Sequence, residues 1–596
     1  MTVNSRVRQW WKHATIYQVY PASFCDSNGD GVGDLRGIIS KLDYISGLGV
    51  DVVWICPMYD SPQVDMGYDI ANYEDIYAPY GTLQDMEQLI RETHAKGMRI
   101  MLDLVINHTS DQHAWFKESR SSKDSPKRDW YIWRPAKYSP DGSRLPPNNW
   151  RSNFGGGSAW EWDEPTGEYY LHLFAKEQPD LNWEDPTARQ AIYASAMEFW
   201  LERGVDGFRV DTVNMYSKLQ DFPDAPVVDP TAPYQPAGLL YCNGPRMHEF
   251  LSEMNEILAR YGAITVGELP NTPDLARVLR YVSAEEKQLN MVFQFDVVDV
   301  GFGKTHKYET RPKNYTLPDL KDAVGRTQSL IHGTDAWTTV FMENHDQARS
   351  VSRFTDDRPE YREAGAKLLA LLQASLSGTQ YIYQGQEIGT VNAPKDSYPA
   401  ENYLDLDSYL FLDMVRERAG GKQDFEKAFN ALQHLARDHA RIPMCWGSGK
   451  FGGFSEAAER AGKPVKEPWM KPHPLASEIN VASQLGDPHS VLAFWQKALR
   501  FRREFSDLLV YGDYKVLNPE DPSTYTFVKE SPLDGSRAVV VLNFSTQDKP
   551  WSGPTREELG LPGGKELKLV PIMSTHSGKD GGEVLSAFEG RVYLVT

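Results

Sequence analysis

Carboxylates, histidines and an arginine stand at the ends of four apolar segments of the chain. These ends are residues 103–108, 207–211, 267–268 and 343–346. A strand buried in a protein interior tolerates a carboxylate only where a partner satisfies its charge and hydrogen bonds. Two carboxyl groups held in different protonation states can act as a nucleophile and as a general acid. The four segment ends therefore predict a site that uses paired carboxylates for nucleophilic and acid–base chemistry.

Asp211 and Glu268 are the best candidates for the pair. Arg209 and Asp211 are two residues apart, so on a strand their side chains point to the same side. We expect the Arg209 cation to keep Asp211 ionised, as a nucleophile requires. Glu268 ends an apolar segment and has no basic neighbour in sequence, which favours the protonated form. Each residue alone is more often a cap or a loop anchor, but the conjunction of four such ends favours catalysis.

Eight short apolar segments alternate with helical patterns and would position these side chains. They are residues 14–24, 50–59, 98–108, 205–213, 263–269, 291–298, 338–346 and 379–389. Near-continuous apolar strands separated by helices are typical of a parallel sheet covered on both faces. We predict an α/β fold, a (β/α)8 TIM barrel, with an open doubly wound sheet as the alternative. In a barrel the four polar ends meet at one rim.

Two connections are too long for barrel loops and predict insertions. The first, residues 109–177, is rich in Trp, Gly, Pro and Asn and is expected to form an irregular inserted domain; the second spans about residues 390–480. The barrel would then comprise residues 1–108 and 178–505. Alternating strand patterns after residue 505 predict a C-terminal antiparallel β-sandwich, residues 506–596.

The segment ends carry recognisable motifs. DLVINH, GFRVD, GEL and ENHD, with QPDLNW at residues 178–183, resemble the signature regions of the α-amylase family, glycoside hydrolase family thirteen, over nearly the whole chain. The resemblance implies Asp211 as nucleophile, Glu268 as acid/base and Asp346 as a third carboxylate that grips sugar hydroxyls. The residues implied to line the same subsite are His108, His345 and Arg209. Such a mechanism retains the α-configuration, places the two carboxyls about 5 to 5.5 Å apart and needs no organic cofactor.

Two further motifs resemble the oligo-1,6-glucosidase and maltase group of exo-acting α-glucosidases. MGYDI at residues 66–70 implies that Tyr68 stacks on the terminal glucose and that Asp69 binds its far hydroxyls. RIPMCW at residues 441–446 resembles the group's RTPMQW motif and implies that Arg441 closes the pocket. Ile442 and Cys445 depart from that motif, which leaves an altered outer subsite and neutral packing both open.

Thr212, which follows the expected nucleophile, bears on the linkage. Family members with Thr at this place resemble α-1,4-acting maltases, whereas α-1,6-acting members tend to carry Val. We therefore expect release of α-glucose from maltose and short α-1,4-linked oligosaccharides, with sucrose as a further candidate substrate.

Three other functions compete with this one. An α-1,6-preferring oligo-1,6-glucosidase, and a glucosyltransferase or isomerase, would use the same glucosyl-enzyme intermediate. The sequence has no RLDRD-like segment of the kind found in sucrose isomerases, which favours hydrolysis. A non-catalytic scaffold, as in amino-acid-transporter heavy chains, is disfavoured because those chains carry a transmembrane segment and often lack the acids retained here.

An acidic loop near the N-terminus predicts a structural metal ion. Oxygen donors occur at every second residue, as in an EF-hand; they are Asp26, Asn28, Asp30, the Val32 carbonyl and Asp34. Close carboxylates would repel one another without a cation. We expect Ca²⁺, with Mg²⁺ as the alternative ion and a metal-free Asx-rich loop as the alternative structure.

Bulk properties restrict the partners. The formal net charge is −19 and no long Lys/Arg run is present, which disfavours nucleic acid. No apolar stretch reaches the length of a membrane span, and no signal-like segment occurs at the start. Cys25, Cys56, Cys242 and Cys445 are scattered, as expected of reduced thiols. We expect a cytoplasmic protein that binds a small α-glucoside; its oligomeric state stays open.

Overall fold

The barrel is closed. A computed structural model describes residues 7–303, 307–309, 315–418, 422–562, 567–576 and 582–596. Its central strands are β1 (Thr15–Val19), β2 (Val52–Ile55), β3 (Arg99–Leu104), β4 (Gly207–Val210), β5 (Ile264–Glu268), β6 (Met291–Phe293), β7 (Thr339–Val340) and β8 (Thr379–Tyr383). They form one parallel sheet in the order β6-β5-β4-β3-β2-β1-β8-β7. A parallel bridge between Val292 and Thr338 joins β6 to β7, so the TIM barrel is confirmed and the open sheet is wrong.

Every barrel strand lies inside its predicted segment, and the strands are almost wholly buried. Helices cover the outer face of the sheet, and several of them begin at a well-defined cap. Thr82 and Asp85 form a capping box at the helix Leu83–Ala95, and Asp185 caps the helix Pro186–Ile192. The other α-helices described up to β8 are Leu35–Ser40, Leu42–Leu48, Ala114–Ser119, Phe199–Leu201, Gly238–Tyr241, Met247–Tyr261, Leu275–Val282, Leu317–Ser329, Ser350–Phe354 and Arg362–Ala374.

The insertion after β3 has a small core of its own. Strands Trp133–Arg134, Glu168–Leu171 and Trp160–Asp163 form an antiparallel sheet in that spatial order. Trp150 and Trp160 lie in an apolar cluster that also includes residues from the loop after β4, among them Phe222 and Tyr241. The insertion therefore packs on the loop that follows the predicted nucleophile.

The connection after β8 contains two long helices, Leu406–Arg418 and Lys422–Leu435, over an apolar cluster that includes Tyr398 and Leu432. Shorter helices follow: Asp438–Arg441, Glu456–Arg460 and Val481–Gln484. Ser490 then caps the helix Val491–Glu504, which is followed by Ser506–Leu509.

The C-terminal region is antiparallel. Its main sheet contains β9 (Asp513–Val516), β10 (Thr524–Glu530), β11 (Arg537–Asn543), β12 (Leu569–Ser574) and β13 (Gly590–Val595), in the order β9-β10-β11-β13-β12. A two-stranded sheet pairs Lys549–Pro550 with Val584–Leu585. Residues 584–595 do not form one continuous strand. Phe588 has φ 50°, which breaks the extended chain into two strands of different sheets.

No helix among the described residues is long and apolar enough to cross a membrane.

Candidate active site

A cavity of about 250 Å³ opens at the C-terminal ends of the barrel strands. Its lining includes seven of the residues selected from the sequence: Tyr68, His108, Asp211, Thr212, Glu268, His345 and Asp346. A larger cavity of about 720 Å³ adjoins it and shares Asn271 and Phe295 with it. The two cavities therefore meet at Asn271 and Phe295, and the larger one offers space for the rest of a substrate.

Arg209 lies beneath the cavity and joins three carboxylates. Its guanidinium is 1% exposed; Nη1 lies 2.8 Å from Asp103 and also contacts Asp211, while Nη2 lies 2.9 Å from Glu268. The expectation that Glu268 has no basic neighbour holds only along the sequence, because the register of β4 and β5 brings Arg209 against it. One cation thus fixes both members of the predicted catalytic pair.

Thr212 provides a second link between the pair. Its backbone N–H donates to Glu268 Oε2 at 3.1 Å, and its hydroxyl donates to Asp211 Oδ2 at 3.2 Å. Thr212 has φ 38°, a conformation that β-branched residues rarely adopt. Strain of this kind persists only where the surrounding structure determines it, and it is common at active sites.

Burial dominates the electrostatics of the pair. It raises the pKa of Glu268 to about 7, against the opposing charge of Arg209. Burial also raises the pKa of Asp211 above its ordinary value, although Arg209 works in the other direction. Arg209 therefore favours the ionised form of Asp211, as expected from the sequence, but burial has the larger effect on its pKa. Glu268 therefore stays largely protonated up to about pH 7, which is the property that a general acid needs.

Asp346 also lines the cavity and lies beside two arginines and a histidine. It contacts His345 at 3.2 Å, Arg441 at 3.0 Å and Arg437 at 3.3 Å. Burial alone would raise the pKa of Asp346, but these neighbours hold it well below its usual range. Burial lowers the pKa of His345 to about 3, so its ring is neutral; it stacks on Tyr68 at 5.3 Å with its Nε2 2.6 Å from the Tyr68 hydroxyl.

Two residues expected to bind the sugar, Asp69 and Arg441, do not line the cavity, and in each case a residue four positions earlier does. Asp69 does not line the cavity, because its carboxylate accepts the backbone N–H groups of Val64 and Asp65 and so closes a turn. Asp65 lines the cavity in its place. Arg441 is 1% exposed and lies behind Asp346, whereas Arg437, four residues earlier, lines the cavity. Asp65 carries the same charge as Asp69, and Arg437 the same charge as Arg441, so the sequence pattern could not show which of each pair lines the cavity.

The other residues selected from the sequence also divide into those that line the cavity and those that do not. His108 lines the cavity, and burial lowers its pKa to about 4. Asp103, which sequence reasoning treated only as part of a motif, supports Arg209 without lining the cavity. Ile442 lies in an apolar cluster and Cys445 is buried, and neither lines the cavity, which favours packing as the explanation of these departures.

Aromatic side chains from the first insertion complete the wall. Phe154 and Phe174 line the cavity, and their ring centroids are 5.7 Å apart. Phe174 also lies 5.2 Å from the His108 ring, and Arg437 lies 5.4 Å above the Phe154 ring. Flat apolar faces beside charged groups suit a sugar, which offers an apolar ring face and polar edges.

The acidic loop near the N-terminus uses its oxygens within the protein. Asp26 accepts backbone N–H groups of the loop and the hydroxyl of Ser455, and Asp34 caps the helix Leu35–Ser40. The other expected ligands, Asn28, Asp30 and Val32, lie in the same turn. The Asn28 side chain accepts the backbone N–H of Asp30, and the Asp30 carboxylate accepts the backbone N–H of Val32. Among the described residues, no group of three or more His, Cys, Asp or Glu is placed to hold a metal ion. The side chains as placed do not form a metal cage, and bound Ca²⁺ stays a prediction.

Three carboxylates lie at one rim of a closed TIM barrel, and two of them contact the same arginine. This is the architecture of a barrel glycoside hydrolase. A sequence model of the α-amylase catalytic domain matches residues 18–512. The chain therefore belongs to the α-amylase family.

Relatives match over nearly their whole length. The chain is 50% identical to an α-glucosidase of Candida albicans over 592 residues, 98% of this chain and 99% of that protein. It is 44% identical to an oligo-1,6-glucosidase of Saccharomyces cerevisiae over 598 residues, 98% and 99% of the two chains. Among solved structures, a trehalose-6-phosphate hydrolase of Bacillus licheniformis superposes with a TM-score of 0.88 at 36% identity, over 99% of this chain and 100% of that chain. An isomaltulose synthase of Erwinia rhapontici gives 0.88 at 37% identity, with the same coverage.

Proposed function

We propose that the protein is a retaining, exo-acting α-glucosidase that releases glucose from the non-reducing end of maltose and short α-1,4-linked oligosaccharides. The observation that carries this proposal is the Asp211–Glu268 pair, held against Arg209 at a cavity of about 250 Å³ that adjoins a larger one. Asp65, Asp346 and the paired Arg437 limit the cavity on the side of the terminal sugar. A pocket limited in this way accepts a chain end and removes one glucose per cleavage.

In the first step Asp211 attacks the anomeric carbon and forms a glucosyl ester. The glycosidic carbon–oxygen bond breaks, and Glu268 gives its proton to the leaving oxygen. Asp346, ionised among its cations, accepts hydrogen bonds from hydroxyls of the terminal glucose. Arg209 stabilises the carboxylate that Glu268 becomes, because its Nη2 already lies 2.9 Å away.

In the second step Glu268, now deprotonated, removes a proton from water. The hydroxide so formed attacks the anomeric carbon, the ester bond to Asp211 breaks, and α-glucose leaves. Two inversions give net retention. Thr212 keeps both carboxyls in place through the cycle, since it donates one hydrogen bond to each.

The α-1,4 preference is supported by Thr212. The relatives do not separate the linkages, since a Saccharomyces cerevisiae α-glucosidase and an oligo-1,6-glucosidase of that organism are 45% and 44% identical to the chain. The Thr212 hydroxyl lines the cavity beside the bond to be cleaved and bonds Asp211.

The variant Thr212→Val tests this preference. It removes a hydroxyl without changing the size of the side chain, and a change beside the bond is worth about 1 to 3 kcal/mol. We expect the ratio of kcat/KM for maltose to that for isomaltose to fall about tenfold or more. Thr339→Val, on β7 and outside the cavity lining, is the matched control and should leave the ratio unchanged. An unchanged ratio in Thr212→Val would contradict the role of Thr212.

An isomerase or glucosyltransferase is the second candidate, because solved structures of isomaltulose and trehalulose synthases resemble the chain closely. The two functions differ only in whether water or a sugar takes the glucosyl group. Proton NMR of a maltose digest, followed from the first minutes, tests both. We expect glucose as the main product, with α-glucose in the first minutes above its equilibrium share, because the reducing-end glucose is released as an α/β mixture; transfer products in excess of glucose, or no early excess of α-glucose, would overturn the proposal.

A structural Ca²⁺ in the acidic loop remains part of the proposal, although no catalytic step depends on it. A ligand at about one hundred times its dissociation constant adds about 2.7 kcal/mol to stability. For a chain of this size, that shifts the melting temperature by about 2 °C. We expect excess EDTA to lower the melting temperature by this amount and Ca²⁺ to restore it. No response to either reagent would show that the loop is metal-free.

We also propose a cytoplasmic location. The four cysteines are buried and free of disulfides, which is typical of proteins in a reducing compartment.

A further inference from the structure

Asp405 lies behind the terminal-sugar end of the cavity and belongs to the insertion after β8. Its Oδ2 is 3.0 Å from Arg437 Nη2 and 2.7 Å from Arg441 Nη1. Each of these arginines also contacts Asp346, at 3.3 and 3.0 Å. Arg437 further reaches Asp65, at 3.2 Å. Three carboxylates and two guanidiniums therefore form one network, in which Asp405 and Asp346 each contact both arginines and Asp346, unlike Asp405, lines the cavity.

The position of Asp405 is itself fixed from two sides. Its Oδ1 accepts the backbone N–H of Asp407 and so starts the helix Leu406–Arg418. Its own backbone N–H, and that of Leu404, donate to Asp438 Oδ1 at 2.9 and 2.6 Å. Asp405 is 1% exposed and does not line the cavity. It can therefore affect a bound sugar only through the arginines.

The charge balance shows what Asp405 does. Arg441 is 1% and Arg437 11% exposed, so water screens them little. Without Asp405, two buried cations would face only Asp346 and Asp65, and both would draw these carboxylates toward themselves. Asp346 would then turn from the cavity toward Arg441, and its oxygens would be less available to sugar hydroxyls.

We propose that Asp405 is a positioning residue for the terminal glucose, because it holds Arg437 and Arg441 so that Asp346 and Asp65 face the cavity. This inference rests on the proposed α-glucosidase function. It makes the insertion after β8 part of the glucose-binding end of the site, although Asp405 touches no substrate.

The variant Asp405→Asn tests the proposal, since it keeps the shape and removes the charge. Misplacing a group in the site by about 1 Å can cost about 10²-fold. We expect kcat/KM to fall about 100-fold for maltose and equally for p-nitrophenyl α-glucoside, because both carry the same terminal glucose. The inhibition constant of free glucose should rise about tenfold, because hydrogen bonds to Asp346 weaken. A residue that merely supports the fold would lower the melting temperature and leave the inhibition constant unchanged.

Two controls make the result specific. Glu589→Gln removes a carboxylate from an equally buried ion pair with Arg591 in the C-terminal sheet, and should leave all kinetic constants as in the wild type. In a double-mutant cycle with Arg441→Met, the two losses should be strongly non-additive if Asp405 acts through Arg441.

Three outcomes would overturn the inference while the wild type still releases glucose from maltose: an unchanged glucose inhibition constant, a loss that depends on the aglycone, or additive losses in the cycle. Failure of the wild type itself to release glucose would instead overturn the proposed function.

Discussion

Asp211→Asn is expected to abolish turnover of maltose, with a loss in kcat of about 10⁴-fold or more, because no other carboxylate can form the glucosyl ester. The Asn side chain fits the same space; its carbonyl oxygen can still accept the hydrogen bond from Arg209, and its amide NH2 then faces the Thr212 hydroxyl, whose oxygen can accept in turn. The variant therefore removes the nucleophile without removing the side chain that fills this part of the site. Kinetics on maltose and on p-nitrophenyl α-glucoside give the measurement, and both substrates should be affected alike.

A trapped intermediate identifies the nucleophile directly. A fluorinated glucosyl fluoride that forms the ester quickly and loses it slowly should add one sugar mass to the wild-type protein, on the peptide that contains Asp211. Asp211→Asn should gain no mass. Asp103→Asn is the matched control, because Asp103 shares Arg209 but does not line the cavity; it should be slower yet still labelled. A label on any other residue would refute the assignment.

The fold was predictable from the sequence because strand and helix patterns are local. Each barrel strand lies inside a predicted segment, and Thr82 and Ser490, residue types that favour helix N-caps, do cap helices. The strand ends also predicted Asp211, Glu268 and Asp346, since the barrel brings all such ends together.

The sequence was less informative where the choice depended on side-chain partners. Asp65 and Asp69 have the same chemistry four residues apart, and only the hydrogen bonds from Val64 and Asp65 to the Asp69 carboxylate remove Asp69 from the cavity. Arg437 and Arg441 are also four residues apart and carry the same charge, and only their surroundings show that Arg437 lines the cavity.

Other features depend on contacts between remote parts of the chain. The contact of Arg209 with Glu268 depends on strand register, which the spacing of residues within one strand does not define. Asp405 lies more than fifty residues from Asp346 in an insertion without a recognised motif. The positive φ of Thr212 likewise has no signal in its residue type, because Thr disfavours it.

Glu268→Gln is expected to separate the two steps of the reaction. Loss of a general acid typically costs 10²- to 10⁴-fold, so maltose, whose leaving sugar needs a proton, should lose about 10³-fold in kcat/KM. p-Nitrophenolate leaves without protonation, so the first step on the aryl glucoside should survive. The second step lacks its base, and the glucosyl-enzyme should accumulate as a burst of p-nitrophenol. Azide, an anionic nucleophile that needs no base, should restore turnover and yield an α-glucosyl azide.

The pH profile gives an independent readout of the same residue. Burial raises the pKa of Glu268 to about 7, and the first step needs its protonated form, so wild-type kcat/KM should fall as pH rises through about 7. The burst rate of Glu268→Gln on the aryl glucoside should lack this basic limb. The acidic limb should remain, because Asp211 must be ionised and its pKa is raised by burial. A basic limb that persists in the variant, or a β-glucosyl azide as the product, would assign the acid/base role to another group.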